Sequence, residues 1–142
     1  MKKYRMFVIL LLLLLLSACA GRGDPAEMAP PADPENPPAL SGTYVINGFD
    51  PLGLEYGGHL TITPGDDDRT YQMQWIVVGG IQEGSGVVKG NQLWVEWRSI
   101  ESSTDQAEGT AVYTITEAGQ LDGVRFVNGM DGEGTEQAYP NQ

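Results

Sequence analysis

The chain has 142 residues, with 19 acidic side chains against 8 basic ones, a formal net charge of −11, one histidine and one cysteine. Such an acid excess repels phosphate and argues against nucleic acid as a partner, and a single thiol excludes an internal disulfide. His59 has no cysteine to share a metal with, so a zinc centre of the ordinary composition is excluded as well. In chain order, Lys2, Lys3 and Arg5 precede an apolar run from Phe7 to Leu16, followed by the small residues Ser17 and Ala18. A charged start, a short greasy run and a small-residue cleavage zone make residues 1–18 a secretory signal peptide. The run falls short of the about 18 apolar residues that a spanning helix needs.

The stretch Leu16-Ser17-Ala18-Cys19 closes that run and resembles the lipobox of bacterial lipoproteins. The resemblance implies removal of the signal before Cys19 and acylation of that cysteine, with fatty chains such as palmitate. One acyl chain holds a protein marginally, whereas several hold it firmly. The membrane is then a partner through lipid on Cys19. Ala20 is not acidic, and by resemblance to Gram-negative sorting that favours the outer membrane.

Residues 19–40 form the next unit, the lipidated cysteine followed by a segment holding six of the nine prolines. Its composition reads as a semi-rigid, extended spacer of about 3.1 Å per residue that packs no core. Arg22-Gly23-Asp24 lies within it and spells an adhesion signal. Its position beside the acylated cysteine leaves a receptor little room, so the tripeptide reads as a chance feature of a linker.

Residues 41–142 form one domain of ordinary small size, able to bury a single core without staples. No helical periodicity runs through it. Short alternating runs recur instead: "GTYVIN", "GHLTITP", "TYQMQWIVV", "IQEGSGVVK", "NQLWVEWRS", "GTAVYTITE", "QLDGVRFVN" and "EGTEQAY". Turn signals separate them, with tight hairpins expected at Gly90-Asn91 and Ala118-Gly119. Eight strands joined by short connections predict an all-β, up-and-down antiparallel barrel, closed so that no edge is left to aggregate. The longer stretch "NGFDPLGLEYGG" is expected to cap one mouth, and Gly84 and Gly86 to mark a bulge, a bend or a close approach.

Alternation places Tyr71, Met73, Trp75 and Val77 on one face, Leu93, Val95 and Trp97 on another strand's inner face, and Ala111, Tyr113 and Ile115 on a third. The strand around Arg125 is ambiguous, because Leu121 and Val127 oppose Val124 and Phe126. The series Gly42-Thr43-Tyr44, Tyr71 to Trp75, Gly84-x-Gly86, Gly109 to Tyr113, Leu121-Asp122-Gly123 and Gly134-Thr135-Glu136 resembles small exported bacterial β-proteins described as fibronectin-binding-like or uncharacterised. That resemblance implies a fold and assigns no activity to particular residues.

The domain has no phosphate-cradling glycine loop and no strained-turn serine nucleophile, and no cofactor signature. Asp66-Asp67-Asp68 and the acids of "DGEGTE" lack calcium-loop spacing and read as solvated turns. Glu136 is expected instead to pair with Arg125 across neighbouring strands. Tyr71, Trp75, Trp97 and Tyr113 could line a pocket for a flat or apolar ligand or simply fill the core. The expectation is therefore a lipid-anchored envelope protein whose barrel binds a small apolar ligand or a protein partner and is not an enzyme. An acidic inhibitor of a cationic hydrolase such as lysozyme, a structural envelope protein, and a hydrolase using Glu96 and Glu136 are the alternatives.

Overall fold

The computed structural model describes residues 27–102 and 106–141. The signal peptide, Cys19 and the Arg22-Gly23-Asp24 tripeptide lie outside the described residues. Eight strands follow one another: β1 (Gly42–Phe49), β2 (Glu55–Pro64), β3 (Thr70–Val77), β4 (Gly80–Lys89), β5 (Gln92–Ser102), β6 (Glu108–Ile115), β7 (Leu121–Val127) and β8 (Gly134–Pro140). Each pairs antiparallel with the next, and β8 returns to β1. The result is a closed up-and-down barrel, as the alternating runs predict.

Closure follows from side chains that alternate by two along each strand. On β3, Tyr71, Met73 and Trp75 are buried while Gln72, Gln74 and Ile76 are exposed. The same rhythm puts Tyr44 and Ile46, Leu60 and Ile62, Leu93 and Val95, and Ala111, Tyr113 and Ile115 into one interior cluster. Both expected tight hairpins carry a glycine at positive φ, Gly90 at 61° and Gly119 at 72°, the geometry that turns of this kind demand.

Large rings sit over glycines of the neighbouring strand. A Cβ on Gly84 would lie 3.1 Å from the Trp75 ring, and one on Gly109 would collide with the Phe126 carbonyl and crowd Trp97. Gly84 therefore marks a close approach of neighbouring groups, one of the readings its place in a strand suggested. The register shift in this region lies elsewhere, between Ile81 and Gln82 on β4 opposite β5.

Two features depart from the sequence reading. The first is the proline-rich segment, expected to pack no core. Over residues 27–40 it is laid across one end of the barrel. Pro31 bridges Thr116, the Ala32 N–H donates to the Ile115 carbonyl at 2.8 Å, and the Glu117 N–H donates to the Pro30 carbonyl at 2.9 Å. Ala32 and Leu40 are fully part of the core. Proline has no N–H but keeps a carbonyl acceptor and an apolar ring, so such a segment can close a barrel without forming a strand.

The second is "NGFDPLGLEYGG". β1 runs through Phe49 and β2 begins at Glu55, which leaves only Asp50–Leu54 as connection. Asp50 Oδ1 accepts the Leu52 and Leu54 N–H groups at 2.9 and 2.8 Å and holds that turn. Tyr56, inside the expected loop, is a strand residue.

The barrel thus has unlike ends. The strap of residues 27–40 and the turns β2–β3, β4–β5 and β6–β7 gather at one end, which Leu40 plugs. The β1–β2, β3–β4 and β7–β8 connections lie at the other, which the described residues leave open.

Candidate functional site

The interior changes character along its axis. Near the strap it is filled by Tyr44, Ile46, Leu60, Ile62, Leu93 and Leu121, all buried. Tyr44 donates its hydroxyl hydrogen to the Leu40 carbonyl at 2.8 Å. Midway along the barrel the filling turns polar around Glu136, which has no solvent exposure. Its Oε1 accepts hydrogen bonds from Trp75 Nε1 at 3.0 Å and Tyr113 Oη at 2.7 Å. Its Oε2 accepts from Tyr56 Oη at 2.7 Å and Arg125 Nη1 at 2.8 Å. The expected Arg125–Glu136 pair is therefore present across β7 and β8, as a buried ion pair.

Arg125 resolves the ambiguity of its strand. Leu121 and Arg125 are buried while Phe126 is exposed. An arginine can take an inward position here because the partner carboxylate and two aromatic faces receive it. The guanidinium carbon lies 4.4 Å from the Trp97 ring centroid and 5.1 Å from that of Trp75, within cation–π range. Nη2 donates to Gln82 Oε1 at 2.7 Å. Burial alone would lower the Arg125 pKa, but the Glu136 carboxylate more than reverses this, with Tyr113 and Tyr56 adding to it, so the guanidinium is held above its ordinary value.

The tyrosines respond in the same direction. Tyr56 and Tyr113 are raised above their ordinary value, by burial first and by the charge of Glu136 second. Tyr44 is pushed up from 10.0 to about 12 by burial and by Tyr71 beside it. A group that holds its proton longer when folded contributes stability that is complete below its unfolded pKa and is lost as pH rises through the folded one. Stability is therefore expected to fall from pH 10 towards pH 12. Tyrosinate absorbance should rise together with the loss of near-ultraviolet circular dichroism. Complete ionisation of all the tyrosines with the dichroism intact would contradict this placement.

Beyond this polar layer the inward residues become small: Gly80 on β4, Ser99 on β5, Ala107 just before β6 and Gly134 on β8. They leave a cup of about 380 Å³ at the open end, with Val77, Trp97, Ala107 and Val127 as walls and Tyr56, Gln82 and Arg125 towards its floor. The surrounding connections and strand ends carry exposed apolar side chains. Val78 is 91% exposed, Leu52 71% and Leu54 64%, with Phe49, Ile76, Ile100 and Met130 also exposed. Solvent does not favour such a ring of apolar tips.

A larger depression of about 780 Å³ lies on the outer wall, lined by Gln72, Gln74, Glu83, Glu96 and Arg98 among others. Its charges are solvated, and Arg98 Nε donates to Glu83 at 2.9 Å, the kind of exposed pair that contributes little. An apolar concavity with a few converging polar groups is the better ligand site, and the cup fits that description.

The four candidate aromatics do not line one pocket, although Trp75 and Tyr113 meet at Glu136 Oε1. Tyr71 belongs to the closed end, where its hydroxyl accepts the Leu40 N–H at 3.5 Å. Trp75 and Tyr113 are occupied with Glu136, and Trp97 alone lines the cup. Tyr56 and Gln82 escaped sequence reading, one hidden in a glycine-rich stretch and the other in a polar run. Glu96 is exposed on the outer wall and Glu136 is interior, so those two carboxyls do not share a site. His59 is exposed on β2. Asp66-Asp67-Asp68 form the β2–β3 turn, where Asp67 Oδ1 accepts the Arg69 N–H. Among the described residues no group of three or more metal-ligating side chains converges.

No protein-family model matches the chain, and a search of curated proteins returns no match.

Proposed function

We propose that this chain is a lipid-anchored cell-envelope protein, held by acyl chains on Cys19, whose barrel binds a small apolar ligand at its open mouth without transforming it. The observation that carries the reading is the cup itself, where small residues replace the large ones that fill the rest of the interior. The lipobox-like Leu16-Ser17-Ala18-Cys19 supports the anchor. The strap supports an orientation. Gln120 Nε2, in the β6–β7 turn, donates to the Glu27 carbonyl at 3.0 Å, so the chain arrives at the closed end. Only residues 20–26 separate Cys19 from the strap, a reach of roughly 25 Å when fully extended. An anchored barrel would sit close to its bilayer with the mouth directed away from the point of attachment.

The anchor and the ligand are tested separately. The protein isolated from membranes should carry acyl mass that Cys19→Ser abolishes, and equal lipid labelling of that variant would refute the anchor. Native mass spectrometry of gently isolated protein should show a bound small molecule that is lost when Ala107→Trp fills the cup. A bound mass that persists in this variant would move the ligand elsewhere.

A second reading, inhibition of a cationic hydrolase, draws support from the acidic outer wall, where Glu83, Glu96 and Glu108 share one depression. It requires binding to a basic enzyme that weakens as salt rises. Absence of binding at low ionic strength would remove it.

A further inference from the structure

The arrangement of the polar layer selects among apolar ligands. We infer that the cup takes an apolar molecule ending in a carboxylate, bound head-down against Arg125 and Gln82. This deepens the proposed mouth-binding reading and rests on it.

The Arg125–Glu136 pair is not seen symmetrically from the cup. Arg125, Gln82 and Tyr56 contribute to the cup lining, whereas Glu136, Trp75 and Tyr113 do not. Glu136 has no exposure, and each of its oxygens already accepts two hydrogen bonds. The carboxylate is thus sealed behind the guanidinium, and a molecule entering from the mouth meets the positive end of the pair first.

The hydrogen-bonding capacity of the floor has the same sign. A guanidinium offers five N–H donors and no acceptor. Arg125 spends Nη1 on Glu136 and Tyr56 and one bond of Nη2 on Gln82. Because Gln82 accepts that bond through Oε1, its amide group is oriented with Nε2 as the remaining functional end, and Nε2 donates to no described residue. The floor therefore presents a cation with spare N–H donors and no anionic acceptor, and its neutral acceptors, Gln82 Oε1 and Tyr56 Oη, already take bonds from Arg125. An ammonium head would meet repulsion from Arg125 at the floor, and the carboxylate of the cup lining, Asp50, belongs to the β1–β2 turn, where its Oδ1 is taken by the Leu52 and Leu54 N–H groups. An alcohol would receive a neutral hydrogen bond, and a carboxylate would receive charge-assisted ones, which are the stronger kind.

The walls specify the rest. Val77, Trp97, Ala107 and Val127 give a molecule apolar contact above the head. The exposed Val78, Leu52 and Leu54 continue that contact outward for a tail longer than the cup. The chain's net charge of −11 opposes an anion at long range, so selectivity has to arise from contact at the floor. It must then vary with the head group at constant tail length.

The test is a matched series with one tail: decanoate, decanol and decylammonium. Each is titrated into the full chain in zwitterionic nanodiscs, with empty nanodiscs as the blank and tryptophan fluorescence as the readout. Decanoate is expected to bind at least roughly tenfold more tightly than decanol, and decylammonium not measurably. Gln82→Leu should weaken decanoate more than decanol and so narrow the preference between them, because a charge-assisted bond is lost in one case and a neutral one in the other. Ala107→Trp should abolish both, with circular dichroism confirming that each variant retains the β-fold. If decanoate and decanol bind equally and Ala107→Trp removes both, the carboxylate inference is overturned and the mouth site stands. Preference for decylammonium overturns the inference as well. If neither decanoate nor decanol binds, or Ala107→Trp changes nothing, both the inference and the mouth-binding reading fail.

Discussion

Replacing Glu136 by leucine is expected to cost the barrel about 3–5 kcal/mol, the penalty for leaving one partner of a buried ion pair uncompensated. In urea this should appear as a large fall in the unfolding midpoint with an unchanged slope. The usual remedy for such a loss is to remove the other charge too, since an apolar pair often replaces a buried ion pair without harm. Here that remedy should work only in part. Glu136 also accepts from Trp75, Tyr113 and Tyr56, and each donor left unsatisfied in the interior costs about 1–3 kcal/mol. The double variant Arg125→Met with Glu136→Leu should remain clearly less stable than the parent. Adding Tyr113→Phe should return part of the deficit, because it withdraws a donor that has lost its acceptor. A double variant as stable as the parent would mean that the three neutral bonds contribute nothing. A Glu136→Leu loss below about 1 kcal/mol would mean that the network does not hold the barrel centre.

The second large effect is expected at the opposite end. Leu40→Ala should cost about 2–5 kcal/mol, the range for truncating a fully buried leucine in a packed core. Leu40 has no exposure, and its backbone is engaged on both sides. Its carbonyl accepts from Tyr44 Oη at 2.8 Å, and its N–H points to Tyr71 Oη at 3.5 Å. The segment before it is tied down by Asn91 Nδ2 donating to the Ala32 carbonyl at 2.8 Å and by Gln120 Oε1 accepting the Ala29 N–H at 2.8 Å. The neighbouring exposed position gives the contrast: Ser41→Ala should leave the unfolding midpoint within about 0.5 kcal/mol of the parent, as surface substitutions generally do. Equal, small effects at Leu40 and Ser41 would show that the strap rests on the barrel without stabilising it.

These two sites differ in how far the sequence disclosed them. The eight strands were legible because their side chains alternate with a period of two and glycines punctuate them, and both signals are local. The pairing of Arg125 with Glu136 was legible as a complementary charge couple, but the strand around Arg125 was not. Hydropathy assigns an arginine to solvent, and only a carboxylate and two indoles brought from other strands make its inward position favourable. Tyr56 and Gln82 were missed for a related reason. Their roles arise from register across β2, β4, β7 and β8, which no window of neighbouring residues contains. The packing of the strap is not legible because proline content reports only the absence of regular backbone pairing. It is silent on whether apolar residues such as Ala32 and Leu40 find a surface to cover. The four aromatics were read as a set because they share inward faces, whereas their depth along the barrel axis separates them into three environments.

Depth also divides the described part of the barrel into a filled half and a half with a recess. Large side chains and the strap close one end, the Glu136 network fixes the middle, and among the described residues small ones leave the other end open beneath an apolar rim. Ligand binding is proposed for that open end. Hydrogen–deuterium exchange of the full chain in nanodiscs, with and without decanoate, tests it most directly. Slowed exchange is expected in residues 77–82 and 125–127, with no change in residues 27–40 or in the β6–β7 turn they cover. Protection centred on the strap end, or confined to the outer wall around Gln72 and Glu96, would contradict it.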